Sequence, residues 1–137
     1  MMPTSPLTHR IAAPLLGIAA VVGVAACGSD DAALDLPEAA QEGRTIANSN
    51  GCAACHGTDG QGGVGPAYQG LFGSEVEFED GETLVADRAY LRESIVDPSA
   101  RRVAGFRARM PDNPLRDDEV DAVVEYIVAL ADVGDDS

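Results

Sequence analysis

Lysine is absent from the sequence, and the nine basic residues are all arginine, set against 23 acidic residues. The net charge of −14 argues against a nucleic-acid partner, because binding to phosphates needs a surplus of cationic side chains. It also argues against electrostatic attachment to an anionic membrane surface. Tryptophan is absent too, and aromatics make up only 4% of the 137 residues. One small domain with so few aromatics would gain from a large apolar group bound in its core.

Long hydrophobic runs are also scarce. The apolar stretch at residues 11–26 follows a basic pair; it is short for a membrane span but typical of a signal-peptide core. It ends in Ala-Ala-Cys27, which resembles the cleavage site of bacterial lipoproteins. The sequence therefore predicts a signal peptide over residues 1–26 and lipid attachment at Cys27.

Two alternatives to this lipoprotein interpretation are ordinary export with Cys27 kept as a thiol, and an uncleaved anchor. All three place the domain outside the cytoplasm, and the lipoprotein interpretation places it on the extracytoplasmic face of a bacterial membrane, on the periplasmic or cell-surface side. Residues 27–37 are then the anchor cysteine and a flexible acidic linker, and residues 133–137 are an acidic tail. The folded domain is predicted between them, over residues 38–132.

The first predicted helix of this domain runs from Glu38 to about Asn48, directly after Pro37. A glycine inside a helix costs about 1 kcal/mol, so Gly43 indicates the close approach of another helix. The positions expected to face inward are Ala39, Gly43, Ile46 and Ala47.

Residues 57–70 hold six glycines and are predicted to form a loop. Two alternating segments, Glu75–Glu79 and Glu82–Val85, then surround Asp80-Gly81, which is typical of a β-hairpin. Asp87 is the predicted N-cap of a helix that extends through Val96.

The last predicted helix begins with three acidic residues at positions 117–119, where the helix dipole favours them. Its apolar residues recur at helical spacing: Val120, Val123, Val124, Ile127, Leu130 and Ala131. The pattern as a whole predicts a mainly α fold of about three helices, with long Gly/Pro loops and a small β-hairpin.

The segment Cys52-Ala-Ala-Cys55-His56 has the spacing of a haem-attachment motif. Two thiols on one helical turn can form thioethers with the two haem vinyl groups, and the following imidazole can ligate the iron. A thioredoxin-like redox pair would need a βαβ setting, which the pattern lacks. A zinc site would need four ligands, but outside residues 1–26 the only other cysteine is Cys27 and there is no second histidine.

The second axial ligand follows by elimination. Outside the predicted signal peptide Met110 is the only methionine, and methionine is a common partner of histidine at haem iron. The alternative is that Met110 fills the core and the iron is open or bound to water. The backbone carbonyl of Pro66 is a candidate acceptor for the other nitrogen of His56, unless Pro66 only stiffens its loop.

Together with these candidate haem residues, the chain from about Leu36 to Asp132 resembles a class I monohaem cytochrome c. The features that carry the likeness are the Cys52–His56 motif, Gly65-Pro66, Met110-Pro111 and a final helix containing Tyr126. A narrower likeness is to the cytochrome c domain fused to subunit II of haem–copper oxidases. It rests on the segments 51–67, 70–76, 90–95, 97–98 and 103–111. The sequence has no second cysteine cluster that could form the copper site of such a subunit.

The resemblance implies a cytochrome c fold around one covalent haem c, with the first and last helices crossing near Gly43 and Tyr126. The residues that it implies for cofactor binding are Cys52 and Cys55 as covalent attachment points, His56 and Met110 as axial ligands, and Pro66 as the partner of His56. It implies a one-electron carrier rather than an enzyme, with redox proteins as donor and acceptor, for example a haem–copper oxidase. The alternatives are a haem subunit of a dehydrogenase complex, or a ligand-binding haem protein if Met110 is displaced.

Four arginines precede or adjoin Met110 on this otherwise acidic chain: Arg101, Arg102, Arg107 and Arg109. They are predicted to form a basic docking site for an acidic partner. The alternative is that they pair with haem propionates or with nearby acids.

Overall fold

The computed structural model describes residues 34–133, so that the predicted signal peptide, Cys27 and residues 134–137 lie outside the described part. Its elements are α1 (Glu38–Ser49), α2 (Ala53–His56), β1 (Glu75–Glu77), β2 (Thr83–Val85), α3 (Arg88–Val96) and α4 (Asp117–Ala129). The predicted architecture, mainly helical with one hairpin, is confirmed. The structure has one helix more than the predicted three: the additional helix, α2, is a single turn. None of these helices is both long enough and apolar enough to cross a membrane.

Helices α1 and α4 cross at Gly43. A Cβ placed on Gly43 would lie 1.9 Å from the carbonyl oxygen of Ala122 and 2.9 Å from the Cβ of Tyr126. The predicted crossing is therefore confirmed, and Tyr126 is among the most buried side chains of the core. The expectation for Ala39 was wrong: Ala39 is exposed and its neighbour Ala40 is buried. The buried stripe of α1 starts one residue later, because Ala40 lies three residues before Gly43 on the face that meets α4.

The hairpin forms where the alternating pattern predicted it, with Val76 paired to Leu84 in an antiparallel register. Strand β1 is shorter than predicted and ends at Glu77, although the N–H of Phe78 still donates to the carbonyl of Glu82 across the hairpin at 2.9 Å. Phe78 also forms a β-bridge with Val103, a contact that was not predicted from the sequence.

Helix α3 begins at the predicted cap. The carboxylate of Asp87 accepts a hydrogen bond of 2.8 Å from the backbone N–H of Tyr90, which satisfies one of the free donors of the first turn. The helix ends at Val96, before Pro98, as predicted. Helix α4 buries the predicted residues Val120, Val123, Val124 and Ile127 against the rest of the core. It ends at Ala129, so that Leu130, which is buried, and Ala131, which is only partly covered, lie just beyond the helix and not in it as predicted.

The folded part begins earlier than the predicted boundary at residue 38. Leu36 is 6% exposed and belongs to the core, and its carbonyl accepts a hydrogen bond of 2.7 Å from the side chain of Gln41. At the other end, Val133 packs partly against the same core. Leu36, which lies within the predicted linker over residues 27–37, therefore packs in the core with other apolar residues.

The helix crossing generates a stability prediction. Gly43→Ala should destabilise the protein by about 3 kcal/mol, because the added methyl group meets backbone atoms of α4 that cannot move alone. A Gly→Ala change at an open helical site would instead stabilise the helix by up to about 1 kcal/mol. The sign of the change in unfolding free energy therefore tells a close crossing from an open site. Urea unfolding of the haem-loaded protein measures the effect. Glu42→Ala, on the exposed face of α1, is the control and should change stability by less than about 0.5 kcal/mol. A Gly43→Ala protein as stable as the control would contradict the close crossing.

Candidate functional site

The cysteine motif occupies one helical turn. Cys52 immediately precedes α2 with helical dihedral angles (φ −58°, ψ −36°). Its carbonyl accepts hydrogen bonds from the backbone N–H of Cys55 at 3.1 Å and of His56 at 2.9 Å. The two thiols and the imidazole are thus presented by one rigid turn, which is the arrangement that the spacing predicted. Burial raises the pKa of the Cys52 thiol, with a smaller opposing effect of a backbone hydrogen bond.

The imidazole of His56 is buried and held by the backbone. Its Nδ1 lies 2.7 Å from the carbonyl oxygen of Pro66. Since a carbonyl can only accept, Nδ1 must donate, and the neutral ring then has its lone pair on Nε2, where an iron could bind. Burial lowers the pKa of His56, against a smaller opposing effect of the bond to Pro66, and this favours the neutral form that ligates metals.

Two further residues restrict the His56 ring. Gly65 backs onto it so closely that a Cβ there would lie 3.0 Å from the ring Cε1. Tyr68 stacks on the imidazole, with ring centroids 4.6 Å apart and an interplanar angle of 18°. Burial raises the pKa of Tyr68 well above its ordinary value, so its hydroxyl stays protonated. Tyr68 was not predicted as a site residue; the signal in the sequence is an aromatic residue two positions after Gly65-Pro66 in a chain poor in aromatics.

A cavity of about 530 Å³ opens beside the motif, within the size range of cofactor sites. Cys52, Cys55, His56 and Met110 all line it, so residues far apart in the sequence meet in one space. The rest of the lining is largely apolar and includes Leu71, Leu91, Ile95, Phe106 and Ile127. Two thiols, an imidazole and a thioether in one apolar cavity fit a covalently attached haem. Elsewhere in residues 34–133 no group of three or more His, Cys, Asp or Glu side chains is arranged to hold a metal ion.

The four arginines before Met110 divide into two pairs. Arg101 lies 3.6 Å from Glu82 and 3.7 Å from Glu93, and Arg102 lies 3.2 Å from Glu79. These contacts correspond to the alternative of pairing with local acids. Arg107 and Arg109 are exposed, and neither has an ion-pair partner in the described part of the chain. Arg109, like Arg101 and Arg102, also lines the cavity.

Comparison with known proteins adds to the geometry. A search of curated proteins returned no match to the chain. The family described as Cytochrome c matches residues 40–131, which is more than half of the chain and includes the cysteine motif, the Pro66 loop and Met110. The match and the cavity agree, and the chain belongs to the cytochrome c family, as a mainly α electron-transfer protein that carries one covalently bound haem c.

Proposed function

We propose that this cytochrome c is a one-electron carrier tethered to the extracytoplasmic face of a bacterial membrane, with His56 and Met110 as axial ligands. It passes electrons to or within a respiratory complex such as a terminal oxidase. The observation that carries the proposal is that the two ligand candidates line the same apolar cavity as the two motif cysteines. The narrower likeness of the sequence to the cytochrome domain of oxidase subunit II supports the choice of partner.

Each residue has a definite part in this function. Bound haem c supplies an iron atom that changes between ferrous and ferric states by one electron. Cys52 and Cys55 attach the group, and the Pro66 carbonyl fixes the orientation of His56. Met110 would hold the iron through its thioether, which would favour the ferrous state and, as the second protein ligand, would leave the iron no site for a substrate.

The charge distribution supports a docking surface smaller than the sequence predicted. Arg101 and Arg102 are engaged by glutamates, which leaves Arg107 and Arg109 as the exposed cations on either side of Ala108, next to Met110. On a chain with a net charge of −14, this pair is a local positive spot close to the cavity. Such a spot orients an acidic partner toward the redox centre during diffusional encounter.

The tether is the third part of the proposal. Cys27, carrying lipid, would be joined to the folded domain by residues 28–33, because Leu36 is already in the core. Six extended residues reach about 20 Å. Such a linker keeps the domain near a membrane partner and raises the effective concentration of the domain at that partner.

The ligation is tested with Met110→Leu, which keeps the apolar volume and removes the sulfur. The reduced wild type should resist carbon monoxide, and the leucine variant should bind it at once, because one axial position is then open. Met110→His is the matched control: it restores a ligand, should again resist carbon monoxide, and should lower the reduction potential. Immediate carbon monoxide binding by the wild type would contradict the carrier function and favour a ligand-binding haem protein.

The docking surface is tested with Arg107→Gln combined with Arg109→Gln. Electron transfer to partners that copurify from solubilised membranes should slow by about tenfold at low salt, and the difference should vanish at high salt. Arg88→Gln with Arg92→Gln removes the same charge from arginines that pair with acids on α4, and should have little effect. Equal slowing of electron transfer by the two double variants would mean that the rate depends on net charge alone, and would contradict a docking surface at Arg107 and Arg109.

The tether is tested with Cys27→Ser in cell fractionation. The wild type should remain with the membranes until detergent is added and should incorporate labelled fatty acid, whereas the variant should do neither. Ser29→Ala, two residues away, is the control and should behave as the wild type does. A wild-type protein released without detergent, with a free thiol at Cys27, would rule out the lipoprotein interpretation.

A further inference from the structure

Residues 97–116, which connect α3 to α4 and carry Met110, form the Met110 loop. Near its start it is paired with the hairpin: the N–H of Glu79 donates to Arg102 and the N–H of Ala104 donates to Glu77, both at 2.9 Å. These bonds flank the bridge between Phe78 and Val103. The loop thus adds a short third segment to the two-stranded sheet.

Near its end the Met110 loop is fixed a second time. The side-chain amide of Asn113 donates a hydrogen bond of 2.7 Å to the carbonyl of Ile95 at the end of α3. Between the two attachments, residues 105–112 take part in no hydrogen bond or ion pair with the rest of the described chain. Gly105, where this span begins, has φ +85°, and an added Cβ there would meet nothing within 4 Å. The position of Met110 therefore depends on how firmly the two ends of the span are held.

Arg101 reinforces the first attachment. Its guanidinium lies over the ring of Phe78, with Cζ 5.3 Å from the ring centroid, and between the carboxylates of Glu82 and Glu93. Phe78 itself is 3% exposed and packs edge-on against Tyr90 of α3. One side chain of the loop thus contacts both the hairpin and α3. A network of two carboxylates and a cation–π contact is worth more than a single exposed ion pair.

We infer that Arg101 is a positioning residue, which holds the Met110 loop against the hairpin and thereby keeps Met110 in the cavity. The inference rests on the proposed ligation by Met110. The contacts of Arg101 exist only while the start of the loop is docked, so their loss increases the fraction of molecules in which the loop is open. An open loop admits small ligands to the iron in place of the Met110 sulfur.

The experiment measures the rate of imidazole binding to the ferric, haem-loaded protein. Arg101→Gln should bind imidazole about five- to tenfold faster than the wild type. Arg101→Lys keeps the charge and should be intermediate. Arg88→Gln is the matched control: it removes one arginine from an exposed ion pair with Glu125, away from the loop, and should bind at the wild-type rate. Removing the partners instead, by Glu82→Gln with Glu93→Gln, should also accelerate binding.

Two further readouts separate positioning from general stability and from the ligation itself. Urea unfolding should show that Arg101→Gln and Arg88→Gln are both fully folded in water, so that faster imidazole binding by Arg101→Gln reports local opening of the loop and not global unfolding. A sulfur-to-iron absorption band in the ferric wild type, together with imidazole rates equal for Arg101→Gln and Arg88→Gln, would overturn the positioning role and leave the proposed function intact. If that band is missing and Met110→Leu binds imidazole no faster than the wild type, the ligation by Met110 is wrong and the inference fails with it.

Discussion

The close crossing of α1 and α4 at Gly43 is the constraint on which the haem side of the structure depends. Because a side chain has no room at Gly43, the two helix backbones touch and fix each other's position. Helix α1 leads directly into the cysteine motif, and the N–H of Cys52 donates to the carbonyl of Ala47 at 3.0 Å. The end of α4 holds the glycine-rich loop, since the N–H of Gly70 donates to Leu130 at 3.0 Å. The motif and the loop that supplies Pro66 are therefore placed by the same pair of helices.

The glycines of residues 57–70 are explained by this placement. The loop folds back on α2 through short backbone bonds, from Gly62 to His56 at 2.8 Å and from Gly65 to Cys55 at 3.0 Å. At Gly60, with φ +73°, an added Cβ would meet Leu130 and Tyr68 at 2.8 and 2.9 Å. A loop that must pass so close to a helix and to an imidazole can use little except glycine. The loop of residues 57–70 would be flexible on its own, and in the folded protein these contacts hold it in place.

Much of this fold follows from local patterns in the sequence. The boundaries of α1 and α3 and the start of α4 followed from caps and apolar spacing, and the turn of the hairpin followed from Asp80-Gly81. The cysteine motif and the only methionine outside the predicted signal peptide were sufficient to name the candidate ligands, because each is chemically distinctive. What could not be predicted are contacts between segments distant in the chain. The pairing of Phe78 with Val103, the stacking of Tyr68 on His56 and the burial of Leu36 depend on tertiary packing. The division of the arginines into paired and unpaired residues has the same origin, since Glu79, Glu82 and Glu93 approach only after the hairpin and α3 have folded.

The two ligand candidates are held in opposite ways. His56 has a backbone partner, a stacked aromatic ring and a glycine in contact, within a loop fixed by several main-chain bonds. Met110 belongs to residues 105–112, which form no hydrogen bond within residues 34–133 and are anchored there at the two ends of the span. Fluctuations of low free-energy cost belong to segments with few contacts, so ligand exchange belongs on the Met110 side. If His56 and Met110 ligate the iron as proposed, this asymmetry suits a carrier: a fixed histidine would preserve the attachment geometry during electron transfer, and a few side chains on the loop and the hairpin would set the stability of the bond to Met110. The hairpin thus has two contacts with the site: strand β1 lines the cavity, and the hairpin also holds the start of the loop that carries Met110.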